Sequence, residues 1–344
     1  MKGTIFSGRV AATVAATLLA ILTLVGTVVL ARTPNHGEGA RGGTIARDFR
    51  AVDRDTVWRL TGELPLRFQT YHTEGLAITP HRIFLSAVQV IVPPRKYSGP
   101  GHRYDRTPGK GVGHVFVLDR EGHLQRDIIL GEGHVYHPGG MDFDGENVWV
   151  PVAQYRPDSS AIIYRIDART LAVHRQFEVN DHIGGIVRDP RTGHLIGNDW
   201  GSRRFYEWTT RGRRISSWEN PDYFIDYQDC QHLPGHEMIC GGIADLPQSP
   251  SASRSGTYEL GGIALIDLRD HAAQHEVPFQ YWSPAGHVAT RNPFKIAATG
   301  DRLTVWVAPD NGDEDGGTKL LTYQTTVAPG GDVPHKPQEN LLRR

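Results

Sequence analysis

The sequence predicts an all-β fold: a β-propeller with five readable blades, six if one blade is degenerate, whose ring is closed by an N-terminal strand. Three observations lead there. The apolar runs are mostly three to seven residues long, too short for helices, and are rich in β-branched and aromatic residues. Asp, Gly and Pro clusters separate them, as expected for antiparallel strands joined by tight turns. The same order of four runs then recurs along the chain, the signature of stacked sheets that cannot bury both faces alone.

The clearest unit is His137–Phe177. In it Gly140–Phe143, Val148–Ala153, Ile162–Ile166 and Val173–Phe177 are read as four strands. A preceding copy uses Gly75–Thr79, Arg82–Val88, His114–Asp119 and Asp127–Leu130. A following copy uses Gly185–Val187, Leu195–Gly197, Phe205–Trp208 and Ile215–Trp218. The fourth uses Cys230–Leu233, Met238–Gly242, Gly262–Asp267 and Phe279–Trp282. The fifth, Phe294–Ala298, Leu303–Ala308 and Lys319–Thr325, lacks its last strand. Val57–Phe68 can supply it, which would close the ring and hide both sheet edges.

The propeller is read as residues 56–328, with a flexible tail over 329–344. Ahead of it, Lys2 and Arg9 precede the uncharged run Val10–Ala31, which reads as a signal peptide or as an uncleaved N-terminal membrane anchor. Both readings export the propeller, because the two cations stay inside. Residues 32–55 read as a polar linker. Any membrane contact is therefore expected through the N-terminal segment alone.

Net charge is −1 for the 344 residues; without Lys2 and Arg9 the remainder has 35 basic and 38 acidic residues, a net of −3. A near-neutral chain gives no basic footprint for nucleic acid. Cys230 and Cys240 each lie five residues from Gly235, so a hairpin centred there would set them opposite each other within reach of a disulfide. Two buried free thiols are the alternative.

In a propeller the residues before each first strand and after each second strand meet at one end of the central channel. Before first strands stand His72 and Glu74, His137, His182, then Gln228 and Asp229. After second strands stand Gln89, Gln154, Asn198 with Asp199, Asp245, and Asp310 with Asn311. Carboxylates, amides and imidazoles at equivalent places suit a divalent metal: calcium if oxygen ligands dominate, zinc or manganese if imidazoles do. A polar belt that only ties blades together is the bland alternative. Trp200 follows Asn198-Asp199 at the rim and can stack on a flat ligand. The loop Pro93–Gly113 carries five cations against Asp105, which would draw a small anionic ligand; a solvated insertion is the other reading. Asn311, Asp313 and Asp315 match the start of a calcium loop, but Thr322 stands where its acidic twelfth residue belongs, so a surface turn is expected.

Glu74-Gly75, Asn198-Asp199 and Asp310-Asn311-Gly312 resemble metal-bearing loops of the strictosidine synthase and gluconolactonase superfamily. The chain as a whole is more closely similar to exported bacterial propellers of unassigned activity. The resemblance implies a metal-dependent, lactonase-like hydrolase acting on a small polar substrate at the channel mouth. Glu74, Asn198 and Asp310 would hold the metal, and Asp199 or His137 would take a proton from its water. His72, His182, Gln154, Asp245 and Trp200 would contact the ligand; the three histidines depart from that group's pattern. No Gly-x-Ser-x-Gly elbow is present, which speaks against a serine esterase of that type. The rival expectation is a non-catalytic binding or protein-interaction propeller at the cell surface.

Overall fold

A computed structural model describes residues 45–247 and 257–327. The N-terminal leader and the C-terminal tail lie outside the described residues. Twenty-one strands form five antiparallel sheets. Blade 1 is β2 (His72–Ile78), β3 (Ile83–Val92), β4 (Lys110–Leu118) and β5 (Leu124–Leu130). Blade 2 runs from a split inner strand, β6 (Val135–Pro138) and β7 (Asp142–Phe143), through β8 (Asn147–Gln154) and β9 (Ala161–Asp167) to β10 (Val173–Val179). Blade 3 is β11 (Gly185–Arg188), β12 (Leu195–Asn198), β13 (Arg204–Trp208) and β14 (Arg214–Glu219). Blade 4 is β15 (Asp226–Leu233), β16 (Glu237–Pro247), β17 (Thr257–Asp267) and β18 (Ala272–Pro278).

Blade 5 contains β19 (Phe294–Thr299), β20 (Arg302–Val307) and β21 (Lys319–Thr326), and its outer strand comes from the other end of the described chain. β1 (Arg59–Pro65) pairs antiparallel with β21, from Arg59 opposite Gln324 to Pro65 opposite Lys319. The expected closing strand is thus present, and the ring has five blades.

Two elements differ from the sequence reading. Phe279–Trp282 is not the outer strand of blade 4; β18 ends at Pro278, opposite Gly262. The ladder places Ala272–Pro278 against β17, and the aromatic run follows it, with Phe279 packed in the core against Trp58 and Tyr323. The inner strand of blade 2 begins earlier than Gly140 and is broken at Gly139-Gly140. In addition residues 45–52, within the stretch read as linker, are packed. Residues 45–49 form a short helical turn, and Ile45, Ala46, Phe49 and Val52 are buried against blades 4 and 5. Arg50 pairs with Glu237, and the Val52 carbonyl lies 2.6 Å from His275 Nε2.

The inner strands crowd the axis. A Cβ on Gly139 would sit 2.0 Å from Gly184 O, one on Gly140 2.4 Å from Gln228 O, and one on Gly75 2.8 Å from Gly139 O. Only glycine permits backbones this close. At that level the Asp229 side chain fills the axis. Its carboxylate accepts hydrogen bonds from Leu76 N (2.7 Å), Met141 N (2.9 Å) and Phe294 N (3.0 Å), so blade 4 holds blades 1, 2 and 5. Burial pushes its pKa up, while the three amides and Lys295 oppose that. The channel is pinched shut between two separate mouths.

Cys230, the next residue, is disulfide-bonded to Cys240 directly opposite on β16, with Cα atoms 4.1 Å apart. The disulfide points to an oxidising compartment. Among the described residues no helix is long and apolar enough to cross a membrane.

Replacing Asp229 with Ala strands three buried amides at about 1–3 kcal/mol each. Urea denaturation of Asp229→Ala should show a loss of at least ~3 kcal/mol; a loss under ~1 kcal/mol would show that the axis does not depend on this carboxylate.

Candidate functional site

The upper mouth is built from the starts of the inner strands and the ends of the second strands. Glu74, at the start of β2, is the charged centre. Its Oε1 lies 2.9 Å from His137 Nε2 and 3.1 Å from His72 Nε2, and all three side chains are largely buried. Neither contact is a hydrogen bond, and Oε1 is left without a hydrogen-bond partner. Burial alone would raise the Glu74 pKa, but the two imidazoles outweigh it and hold the carboxyl well below its ordinary range.

The two histidines differ. His72 Nδ1 meets Asn311 Oδ1 at 2.7 Å, and Asn292 Nδ2 lies 3.3 Å from Nε2 while donating to Thr73 O at 2.7 Å. Burial pulls the His72 pKa down, but Glu74 together with the Asn311 contact pushes it up, and the net shift is upward. His137 Nδ1 is buried with no hydrogen-bond partner, and the ring stacks on Tyr155 at 4.0 Å. His182 sits beside it, ring centroids 5.7 Å apart, with its edge on Trp200. His182 Nδ1 lies 2.9 Å from the Gln154 carbonyl, an acceptor only, so Nδ1 carries the proton and Nε2 keeps its lone pair. Burial lowers the His182 pKa to about 3, keeping the ring neutral.

The loop between β3 and β4 covers this mouth. Lys96 and Arg106 bridge across it, Arg106 lies over the Trp200 ring at 5.1 Å, and Arg156 stacks on Tyr104 at 3.6 Å. Arg156 is fixed by Gln154 Oε1, at 2.9 Å from Nε and 2.6 Å from Nη2. The basic loop is therefore packed over the mouth by aromatic contacts, not solvated throughout.

The sequence-expected residues divide into two groups. His72, Glu74, His137, His182, Gln154 and Trp200 come together. Of the three expected metal ligands, Asn198 and Asp310 are engaged elsewhere. Asn198 ties blade 3 to blade 4, its Nδ2 donating to Tyr227 O at 3.2 Å; Asp310 pairs with the Ser283 hydroxyl; and Glu74 faces the imidazoles. Among the described residues no group of three or more His, Cys, Asp and Glu side chains is arranged to hold a metal. This donor arrangement does not fit a single ion bound by Glu74, Asn198 and Asp310. Asp199 accepts from Arg204 N at 2.9 Å beside Trp200, and burial pushes its pKa up to about 6. Asp245 lies on β16 opposite Glu259, its pKa also raised by burial. The loop after Asp310 is a 3-10 turn over Asp313–Asp315, in which Asn311 N donates to Asp315 Oδ2 at 2.6 Å.

Arg106 enters the sequence reading only as one of the five cations of the 93–113 loop, and Tyr155, Arg291 and Asn292 are absent from it. Asn292 stands two residues before β19, the inner strand of blade 5, the kind of position from which site residues of the other blades are read. Tyr155 and Arg106 lie in loops outside the four-strand pattern.

Five antiparallel blades, an N-terminal closing strand and a covered polar mouth define a five-bladed β-propeller. The chain belongs to a family of unknown function, DUF6454, which matches residues 40–329. Similar solved structures include glutaminyl cyclase of Myxococcus xanthus, 13% identical over 79% of this chain and 98% of that one, TM-score 0.46. A luciferin-regenerating enzyme is 12% identical over 78% and 95%, TM-score 0.44. A DUF4221 member from Bacteroides vulgatus is 11% identical over 80% and 100%, TM-score 0.37. No curated protein matches the sequence.

His182 is neutral when folded and protonates near 6.5 when unfolded, so its contribution is complete above pH 6.5 and is lost as pH falls toward about 3. Asp199, pushed up to about 6, has the opposite sign: it favours the folded state in acid. The His182 part is isolated by His182→Gln, which keeps a donor for Gln154 O. The variant's stability deficit at pH 7 should shrink by about 3 kcal/mol at pH 4.5; an unchanged deficit would mean that His182 is not held neutral.

Proposed function

We propose that the upper mouth is an acid–base site that hydrolyses a small, polar, negatively charged ester or lactone, in an exported protein. The carrying observation is the Glu74–His137 pair: an ionised buried carboxylate 2.9 Å from one imidazole nitrogen, with the other nitrogen unpartnered. In this pair His137 is the general-base candidate and Glu74 the negative charge beside it. In the proposed step His137 Nδ1 takes a proton from water as the water oxygen bonds to the carbonyl carbon, and Glu74 stabilises the imidazolium. The tetrahedral intermediate then breaks its C–O bond, and the leaving alkoxide takes that proton from His137. No step passes through a metal.

Arg106 over Trp200 and Arg291, close enough to bias His72 and Tyr155, place positive charge around this centre and favour an anionic substrate. Because His137 Nδ1 is covered, turnover requires the Tyr155 ring or the 93–109 loop to move. The disulfide and the leader-like N-terminus support export. A non-catalytic binding propeller is the second reading. It is favoured by His182, whose Nδ1 is taken by Gln154 O and whose depressed pKa makes it a weak base.

A panel of carboxylated p-nitrophenyl esters and small lactones tests the reading, with binding followed by tryptophan fluorescence. Turnover should fall about 10²–10⁴-fold in Glu74→Gln and His137→Gln. Binding without turnover by the wild type would favour the second reading, and neither binding nor turnover would overturn both.

A further inference from the structure

The opposite mouth of the channel holds a cavity of about 940 Å³, formed by the ends of the inner strands and the turns that follow them. The glycine pinch and Asp229 separate it from the Glu74 site. Its walls are mainly apolar, with Ile45, Ile78, Phe143, Leu233 and Ile296 among them. A few polar groups converge on it, as in small-molecule sites of this size.

Those polar groups are unevenly satisfied. Arg188 Nη1 pairs with Asp144 at 3.2 Å, yet its buried Nε has no hydrogen-bond partner among the described residues. His232 is nine-tenths buried and its Nε2 has no hydrogen bond, the nearest carboxylate oxygen, on Asp189, being 3.6 Å away. Lys295 Nζ stands 3.9 Å from Asp142 Oδ1, beyond hydrogen-bond reach. Asp144 and Asp189, by contrast, are engaged by backbone amides, Trp149 and Thr192. Asp142 accepts from Phe143 N and His232 N, and burial pushes its pKa up to about 6. Unpaired buried donors are costly, so an acceptor brought to them is stabilised.

We propose that this lower mouth binds a small monoanionic carboxylate with an apolar body, its carboxylate on Lys295 Nζ and the exposed edge of the Arg188 guanidinium and its body against the apolar walls. One partly exposed guanidinium and one ammonium match a single carboxylate. The three aspartates nearby oppose a dianion such as phosphate. This site is independent of the chemistry argued for Glu74 and His137.

The test is titration of the full chain with octanoate, followed by calorimetry and by amide shift mapping. 1-Octanol supplies the body without the charge, and inorganic phosphate supplies charge without the body. Octanoate should bind at one site per chain, with shifts at residues 188, 232 and 295, and octanol and phosphate at least about tenfold more weakly. Lys295→Met should weaken octanoate at least about tenfold, and Ala297→Trp, which fills the cavity, should abolish binding; both should keep the wild-type thermal transition. Absence of octanoate binding, shifts confined to the upper mouth, or octanol binding as tightly as octanoate would each overturn the proposal. The wild-type shift map and the octanol arm decide the matter even if a variant does not fold.

Discussion

Everything in this propeller leans on how close its inner strands come to the axis. Five blades leave little room at the centre, and glycines at 75, 139 and 140 let backbones of neighbouring blades touch. Backbone amides left at such a centre need an acceptor, and water is excluded. Asp229 supplies it: one carboxylate takes three amides from three other blades. A buried carboxylate is costly in isolation, so the arrangement works only while all three donors are in place. Closure of the ring by β1 on β21 and the Cys230–Cys240 bridge beside Asp229 both act to keep them there.

This constraint divides the chemistry. With the axis filled, polar groups above and below it cannot share a ligand, and each mouth solves its own electrostatic problem. Above, Glu74 stays ionised because two imidazoles face it, and His182 stays neutral because burial outweighs its neighbours. Below, carboxylates are satisfied mainly by backbone turns, and the cations are left short of partners. The upper mouth is covered by a long loop pinned through Arg106–Trp200 and Arg156–Tyr104, contacts that can break without disturbing any sheet.

Much of this was legible in the sequence, for physical reasons that also mark its limits. Strand alternation and turn residues exposed the blades, and the unpaired edge of blade 5 pointed to Val57–Phe68, within which β1 forms. The spacing around Gly235 pointed to the disulfide. The outer strand of blade 4 was misplaced because the true one, Ala272–Pro278, is weakly apolar, while Phe279–Trp282 is apolar for core packing. In the site, position within the blade found Glu74 and the three histidines. It could not say where each side chain bonds: Asn198 turns to Tyr227 O, Asp310 to Ser283, and Asp229, which looked like a pocket residue, holds the axis. Loop residues such as Tyr155 and Arg106 carry no repeat signal at all.

The most direct test of the account is the protonation state of the buried imidazoles, read from ¹⁵N–¹H correlations of labelled histidine rings. The account places a proton on His137 Nε2, facing Glu74, with a lone pair on Nδ1, and on His182 Nδ1 with a lone pair on Nε2 that persists well below pH 6. A His182 ring that protonates near pH 6.5, or a His137 ring with its proton on Nδ1, would contradict it.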